Sequence, residues 1–381
     1  MNDSLQLHTP PLRAFDIRFT GSGSEYFRIW IVNLLLTIVT LGIYYPFAKV
    51  RRLRYFHANT LVGGHALGFH GEPLKMLRGY ALVAVLAMLY SAASNVSPLS
   101  GALAALLLAA LWPLLWHASL RFRLANTSWR GLRFAFTGSL GGAYRALLPV
   151  LVIALVFVAA PAFVGDGKSS LRVAMVVGLG ALAALLLTPY LLARVKRYQH
   201  GHYQFAGETT RLDAPVSAFY GLWLRASLVS LLPLLLVVGG MVVVLLPLDG
   251  ATRRADSFAV SAGTVAVLVF YLLLFVLIKP FFTARLQNLV WGRTRSPRLR
   301  FESTLHFRDL ALLTLANLLL MIVTLGLYRP FAAVRTARLR LEAVAIVASG
   351  NVDEWAGSAA NGRRDASGDA AGDLLGIDLG L

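Results

Sequence analysis

The chain has 381 residues, 57% of them hydrophobic and 14% charged, with a formal net charge of +18. A soluble domain holds about 25% charged residues, so this balance excludes an ordinary water-soluble globule and calls for a bilayer to solvate the apolar surface. The absence of cysteine excludes disulfides, thiol catalysis and cysteine-based metal sites.

Met1 to Ser24 is polar and holds no apolar core of a secretory signal, so the first span has to direct insertion. Within it, Phe15–Ser22 alternates apolar and polar residues and closes on Gly-Ser, the pattern of a half-buried strand running into a turn. Eight apolar segments then approach the ~20 residues needed to cross a bilayer as helix. They are Ile29–Phe47, Gly79–Ala93, Gly101–Trp116, Ala146–Val164, Val173–Leu192, Leu224–Leu246, Phe258–Ile278 and Asp309–Tyr328. Further alternating stretches lie at Gly68–Gly71, Leu132–Ser139 and Arg298–Ser303.

The basic residues are distributed unevenly. Six Lys and Arg lie between Ala48 and Gly79, five between His117 and Arg145, five between Ala193 and Arg225, and six between Phe281 and Arg308. The alternate loops hold none or two. This is the pattern of cytoplasmic loops, and it fits anionic phospholipid headgroups better than nucleic acid.

The two ends repeat one another. Asn33 to Arg51 recurs as Asn317 to Arg335 at a constant offset of 284. A weaker version runs through the chain, with apolar segments reaching Pro46, Pro113, Pro189, Pro280 and Pro330. Five residues later stand Arg51, Arg194, Arg285 and Arg335; eight later stand Arg54, Arg121, Arg197 and Arg338, with Asn288 in the fourth copy. Gly64, Gly131 and Gly207 lie eighteen residues after their prolines.

The expected fold class is an all-α polytopic membrane protein: a helical bundle of about 6–8 transmembrane segments built from internal repeats, with short cytoplasmic strands and basic helices. Residues 1–346 form the repeat domain, and 347–381, rich in Gly, Ala and Asp, read as a disordered tail. The end segments either span, giving eight crossings, or re-enter near Thr40-Leu41-Gly42 and Thr324-Leu325-Gly326; their apolar length favours spanning.

The run from Phe19 to Tyr44, with Ala48–Phe56 and Asn59-Thr60, resembles the opening of the YjgN-like family, bacterial inner-membrane proteins with a domain of unknown function. The resemblance is specific over Phe19–Pro73 and extends through about Glu342; Phe47 stands where the family often has Trp, and the stretch around Pro189 diverges most. It implies a multi-pass inner-membrane address and brings no activity, substrate or catalytic residue.

Chemistry-bearing constellations are sparse. His200-Gly-His202 offers two metal-ligand side chains without an evident third, and interfacial histidines are the plainer reading. No cofactor is expected. Glu25, Glu72, Glu208 and Glu302 sit near strand-turn junctions, where they suit capping. Polar residues inside a bilayer are expensive, which singles out Asn33, Asn317, Thr40 and Thr324, either as links between helices or as the lining of a polar path. Arg51, Arg54, Arg121, Arg194, Arg197, Arg285, Arg335 and Arg338 are the candidates for contact with lipid headgroups. Two functions follow: a transporter or channel for a small solute or lipid, or a non-transporting module that binds anionic headgroups or a partner protein through its basic face. No protein partner is indicated, and an enzyme has no constellation in its favour.

Overall fold

The computed structural model describes residues 12–164, 170–245 and 253–350. Its elements fall into five successive stretches, each built as strand, helix, helix, strand. The first comprises β1 (Leu12–Phe19), α1 (Gly23–Val39), α2 (Tyr45–Ala58) and β2 (Thr60–Val62). The second comprises β3 (His65–Phe69), α3 (Pro73–Val96), α4 (Pro98–Ala125) and β4 (Thr127–Trp129). The third comprises β5 (Leu132–Phe136), α5 (Leu140–Val164), α6 (Ser170–His200) and β6 (Tyr203–Phe205). The fourth opens on the bent pair β7 (Glu208–Thr209) and β8 (Arg211–Leu212). It continues through α7 (Val216–Leu245), α8 (Arg253–Leu273), a π-helical turn (Leu274–Ile278) and α9 (Lys279–Trp291) to β9 (Thr294–Arg295). The fifth comprises β10 (Leu299–Ser303), α10 (Phe307–Val323), α11 (Arg329–Glu342) and β11 (Val344–Ser349).

All eleven strands join one antiparallel sheet in the order β7-β6-β5-β4-β3-β2-β1-β11-β10-β9-β8. Its two edge strands are neighbours in sequence, so the sheet is a nearly closed ring. Thr210 is the corner: its N–H donates to Tyr203 O at 2.8 Å, and its hydroxyl donates to His200 O at 2.7 Å. On the other side of the ring the first and last strands pair directly, Leu12 opposite Ser349. Gly64, Gly131 and Gly207 close the hairpins between successive stretches, each preceded by a second residue at positive φ, the backbone of a type I′ turn.

This sheet overturns the all-α expectation. Its strands are only two to eight residues long, and partners such as β1 and β11 meet across almost the whole chain. A short alternating segment shows that a strand is present, not what it pairs with. The expected six to eight crossings are also revised. Five helices among the described residues are long and apolar enough to span: Pro73–Val96, Leu99–Ala125, Val177–His200, Val216–Val242 and Ser261–Trp291. Only 11–17% of their apolar windows is buried within the protein, so lipid is the solvent for the rest.

The end segments are hairpins. α1 and α10 have 17 residues each, about 26 Å of rise, less than the ~30 Å hydrocarbon core. The chain turns at residues 40–44 and 324–328 and comes back to an adjacent strand of the same sheet. The reason lies in Leu41-Gly42 and Leu325-Gly326, all four at positive φ. The turn is self-sufficient: Gly42 N–H donates to Thr37 O at 2.7 Å, and Tyr44 N–H to Thr40 Oγ1 at 2.9 Å. Gly326 N–H and Tyr328 N–H repeat this on Met321 O and Thr324 Oγ1. Such a tip can sit in lipid with its amides satisfied. A Cβ on Gly42 or Gly326 would meet nothing within 4 Å, so substitution acts through the backbone alone. Gly326→Val is expected to cost about 1–2 kcal/mol, read as a melting point several degrees lower in detergent.

The five prolines are resolved in three ways. Pro46 and Pro330 start new helices after the turns, and Pro113 and Pro189 stand inside continuous helices. Pro280 follows the π-helical turn, where Lys279 N–H reaches back five residues to Leu274 O. A proline cannot donate and crowds the carbonyl four residues before it; the wider turn accommodates that. The expected tail falls, beyond Gly350, outside the described residues; Val347 to Ser349 belong to β11.

Candidate functional site

The arginines singled out from sequence divide by position. Of those eight residues after a proline, all but Arg121 join one stretch to the next. Arg54 donates to Gly71 O at 3.1 Å, Arg197 to Ala214 O at 2.8 Å, and Arg338 to Gly21 O at 2.9 Å and Phe19 O at 3.3 Å. Asn288 does the same work in the fourth stretch, accepting from Leu305 N–H at 3.0 Å and donating to Leu305 O at 2.9 Å. Arg338 thereby clasps the last stretch to the first, and Glu342 adds an acceptor for Phe19 N–H at 3.1 Å. Arg121 is exposed on α4.

Residues five after the proline hold aromatic rings near the bilayer end of their helices. Arg51 donates to Tyr44 Oη at 3.3 Å, Arg335 to Tyr328 Oη at 2.9 Å, and Arg194 to Tyr190 Oη at 2.8 Å. Arg285 lies over the Phe281 ring at 5.8 Å. Thr40 and Thr324 close the hairpin tips, as described above. Asn33 and Asn317 are both buried, 6% and 4% exposed, and differ in surroundings. Asn33 Oδ1 accepts from Arg51 at 3.3 Å. Asn317 Nδ2 makes a long contact of 3.4 Å with Thr336 Oγ1, and its Oδ1 has no donor.

Inside the ring lies a cavity of about 1080 Å³. Its floor is the inner face of the sheet, formed by Phe15, Val62, Trp129, Phe134, Phe205 and Ile346. Trp129 is fixed there by its indole N–H, which donates to Val62 O at 3.1 Å, and burying such rings contributes roughly 1.5–3 kcal/mol apiece. Above the floor the second helices of the stretches turn a belt of cations inward: Arg52, Arg123, Lys279, Arg329 and Arg340. Among the described lining residues Glu208 is the single carboxylate, and it is engaged by Arg298 at 3.5 Å. None of the eight arginines named from sequence lines this cavity; of the polar candidates, Asn317 does.

On the belt Arg52, Lys279 and Arg329 are exposed and Arg123 is half-buried. Burial lowers the pKa of Arg340, whose guanidinium is held by Gln287 Oε1 at 2.9 Å. Burial also lowers His57, with the nearby Arg123 adding to the effect, so the imidazole is neutral at pH 7. Tyr203 is pushed up by burial and stays protonated. Cations gathered on one cavity attract an anion jointly, most strongly where they are withdrawn from water. The sequence carries a faint trace of this belt: Lys279 and Arg329 directly precede their prolines, and Arg123 and Arg340 stand ten residues after theirs. His200 and His202 are not brought together on a metal site. His200 is buried against Tyr203 and Trp291, while His202 Nδ1 pairs with Tyr198 O. Among the described residues no group of three or more His, Asp or Glu has a metal-binding arrangement.

Comparison with known proteins gives the address. The chain is 29% identical to the inner membrane protein YjgN of Escherichia coli K12 over 233 residues, 58% of either chain. It is 32% identical to the Salmonella typhimurium protein of the same name over 143 residues, 37% of this chain and 36% of that one. The matched stretches thus span less than two thirds of these relatives. No solved structure matches. With five span-length helices among the described residues, the protein is a multi-pass protein of the bacterial inner membrane. Residues 14–374 match the bacterial proteins of unknown function grouped as DUF898, and the chain belongs to that family.

Proposed function

We propose that this protein binds an anionic amphiphile, a membrane phospholipid, in the cavity between its sheet and its inner helices. The excess of Lys and Arg in the strand-bearing loops supports a cytoplasmic sheet. The observation that supports the reading is the belt itself: five cations and one engaged carboxylate on a cavity of about 1080 Å³ with an apolar floor. Past Phe275 and Met321 the lining offers acyl chains a route that a small hydrophilic anion would not use, and a neutral lipid would gain nothing from the cations. The reading assigns binding and no covalent step.

The test is the lipid content of the full chain purified in mild detergent, read by native mass spectrometry. Anionic phospholipids are expected at least about fivefold above their share of the source membrane. Joint replacement of Arg52, Arg123 and Arg340 by Gln is expected to remove that enrichment, because the cavity then loses three of its five cations and most of its attraction for an anion. Arg51→Gln with Arg335→Gln, off the cavity, leaves it unchanged. Lipid content equal to that of the source membrane would sink the proposal.

A further inference from the structure

The five stretches do not contribute equally to the cavity. Among the described residues, the first, second and third line it with the second helix and not the first, and α7 and α8 likewise take no part. The fifth departs from this rule. Besides α11, its first helix α10 reaches the cavity through Leu310, Thr314, Asn317 and Met321. These residues follow one another at steps of three and four, so they share a helix face. The cavity therefore has a side recess, backed by α10 and flanked by α9 and α11. Near the sheet the flanks are tied together: Gln287 Nε2 donates to Arg340 O, and Arg340 Nε donates to Gln287 Oε1, both at 2.9 Å. Towards the bilayer the recess ends at Phe275 and Met321, where Lys279 and Arg329 open α9 and α11.

The lining is specific in kind. Lys279 and Arg329 are exposed cations, and Lys279 Nζ lies 4.4 Å from the Phe275 ring centroid. Thr283, Thr314 and Thr336 offer hydroxyls. At the back, Asn317 is 4% exposed and its Oδ1 has no donor. Turning the amide over exchanges its two ends and still leaves one polar atom without a partner. The equivalent Asn33 has its Oδ1 satisfied by Arg51 and lies off the cavity. Leaving a buried polar atom unmatched is unfavourable, and a ligand hydroxyl seated beside the amide would supply the missing partner.

We infer that the recess between α9 and α11 is the seat of a phospholipid headgroup that carries both a phosphodiester and a free hydroxyl. The phosphodiester sits between Lys279 and Arg329, the hydroxyl reaches Asn317, and the acyl chains leave past Phe275 and Met321 into the bilayer. This rests on the anionic-amphiphile reading above and adds to it a position and a headgroup class.

The experiment uses the full chain in nanodiscs of phosphatidylcholine doped with either phosphatidylglycerol or phosphatidylethanol. Both dopants carry one negative charge, and only the first has headgroup hydroxyls. Lipid retained on release into detergent is counted by native mass spectrometry. The wild type is expected to retain phosphatidylglycerol at least fivefold over phosphatidylethanol. Asn317→Val abolishes the preference without lowering retention of phosphatidylethanol, and Asn317→Thr, of the same shape as Val with a hydroxyl, keeps part of it. Asn33→Leu leaves the preference intact. Lys279→Gln with Arg329→Gln reduces retention of both lipids about tenfold. Equal retention of the two dopants by the wild type, or an undiminished preference in Asn317→Val, overturns the recess assignment while leaving the broader reading standing. Retention of neither dopant overturns both.

Discussion

Cysteines placed at Arg18, His65 and Glu302 are expected to react with an impermeant thiol reagent from one side of the membrane, and a cysteine at Asn95 only from the other. The chain has no native cysteine to confuse the result. Arg18, His65 and Glu302 are exposed on β1, β3 and β10 of the one sheet. Thr20 N–H donates to Asn59 O at 2.9 Å, so the entry and exit of the first hairpin lie on one side. Asn95 lies at the far end of α3, about 33 Å of helix from Pro73. Inside-out and right-side-out vesicles should give all-or-none labelling of opposite sense. Reaction of Arg18→Cys and His65→Cys from opposite sides would mean that the first apolar segment crosses, and the ring could not form.

Cutting the latches between stretches is expected to be the most destabilising surface change available. Arg338→Ala together with Glu342→Ala removes the donors to Phe19 O and Gly21 O and the acceptor for Phe19 N–H. Phe19 is 3% exposed, so these backbone groups gain little water in exchange. A hydrogen bond to a charged group contributes about 1.5–3 kcal/mol; because Arg338 is itself exposed, the lower figure applies, giving about 3 kcal/mol for the pair. Arg54→Ala and Arg197→Ala should each cost about 1.5 kcal/mol. By contrast Arg335→Ala, whose partner is the Tyr328 hydroxyl, should stay below about 1 kcal/mol. Unfolding in mixed micelles by a denaturing detergent ranks the set. If Arg335→Ala costs as much as the clasp variants, the ring is not held by these clasps.

The places where the reading of the sequence holds and fails share one cause, the range of the interaction concerned. Alternation at Phe15–Phe19, Leu132–Phe136 and Leu299–Ser303 marks strands because it depends on neighbours two residues apart. The closure of the ring depends on Thr210 and on pairs such as Leu12 and Ser349, which no local window contains. The first and last apolar segments show the same limit. A 19-residue apolar run meets the length rule for a span, yet Ile29–Phe47 holds only the latter part of the 17-residue α1, then a positive-φ turn and the start of a second helix. Lipid around a hairpin tip selects the same side chains as lipid around a span. At the site, Asn317 stands out in sequence because amides are rare in apolar segments. Arg123 and Arg340 do not, since a cation turned into a cavity has the same letter as one turned towards headgroups.

The two short hairpins lie side by side, because Arg338 joins the last stretch to the first and α11 packs against α1, Phe27 on Phe331 at 5.8 Å between ring centroids. Their tips are apolar and bare, with Leu41 and Leu325 each 94% exposed. In a bilayer the leaflet next to the sheet is displaced by all five stretches. The distant leaflet is displaced chiefly by the longer ones, and on one flank its lipids lie over the hairpin tips. The protein is therefore a wedge, broader in one leaflet than in the other, and its insertion adds unequal area to the two. A membrane bent to match that inequality holds it at lower elastic cost than a flat one.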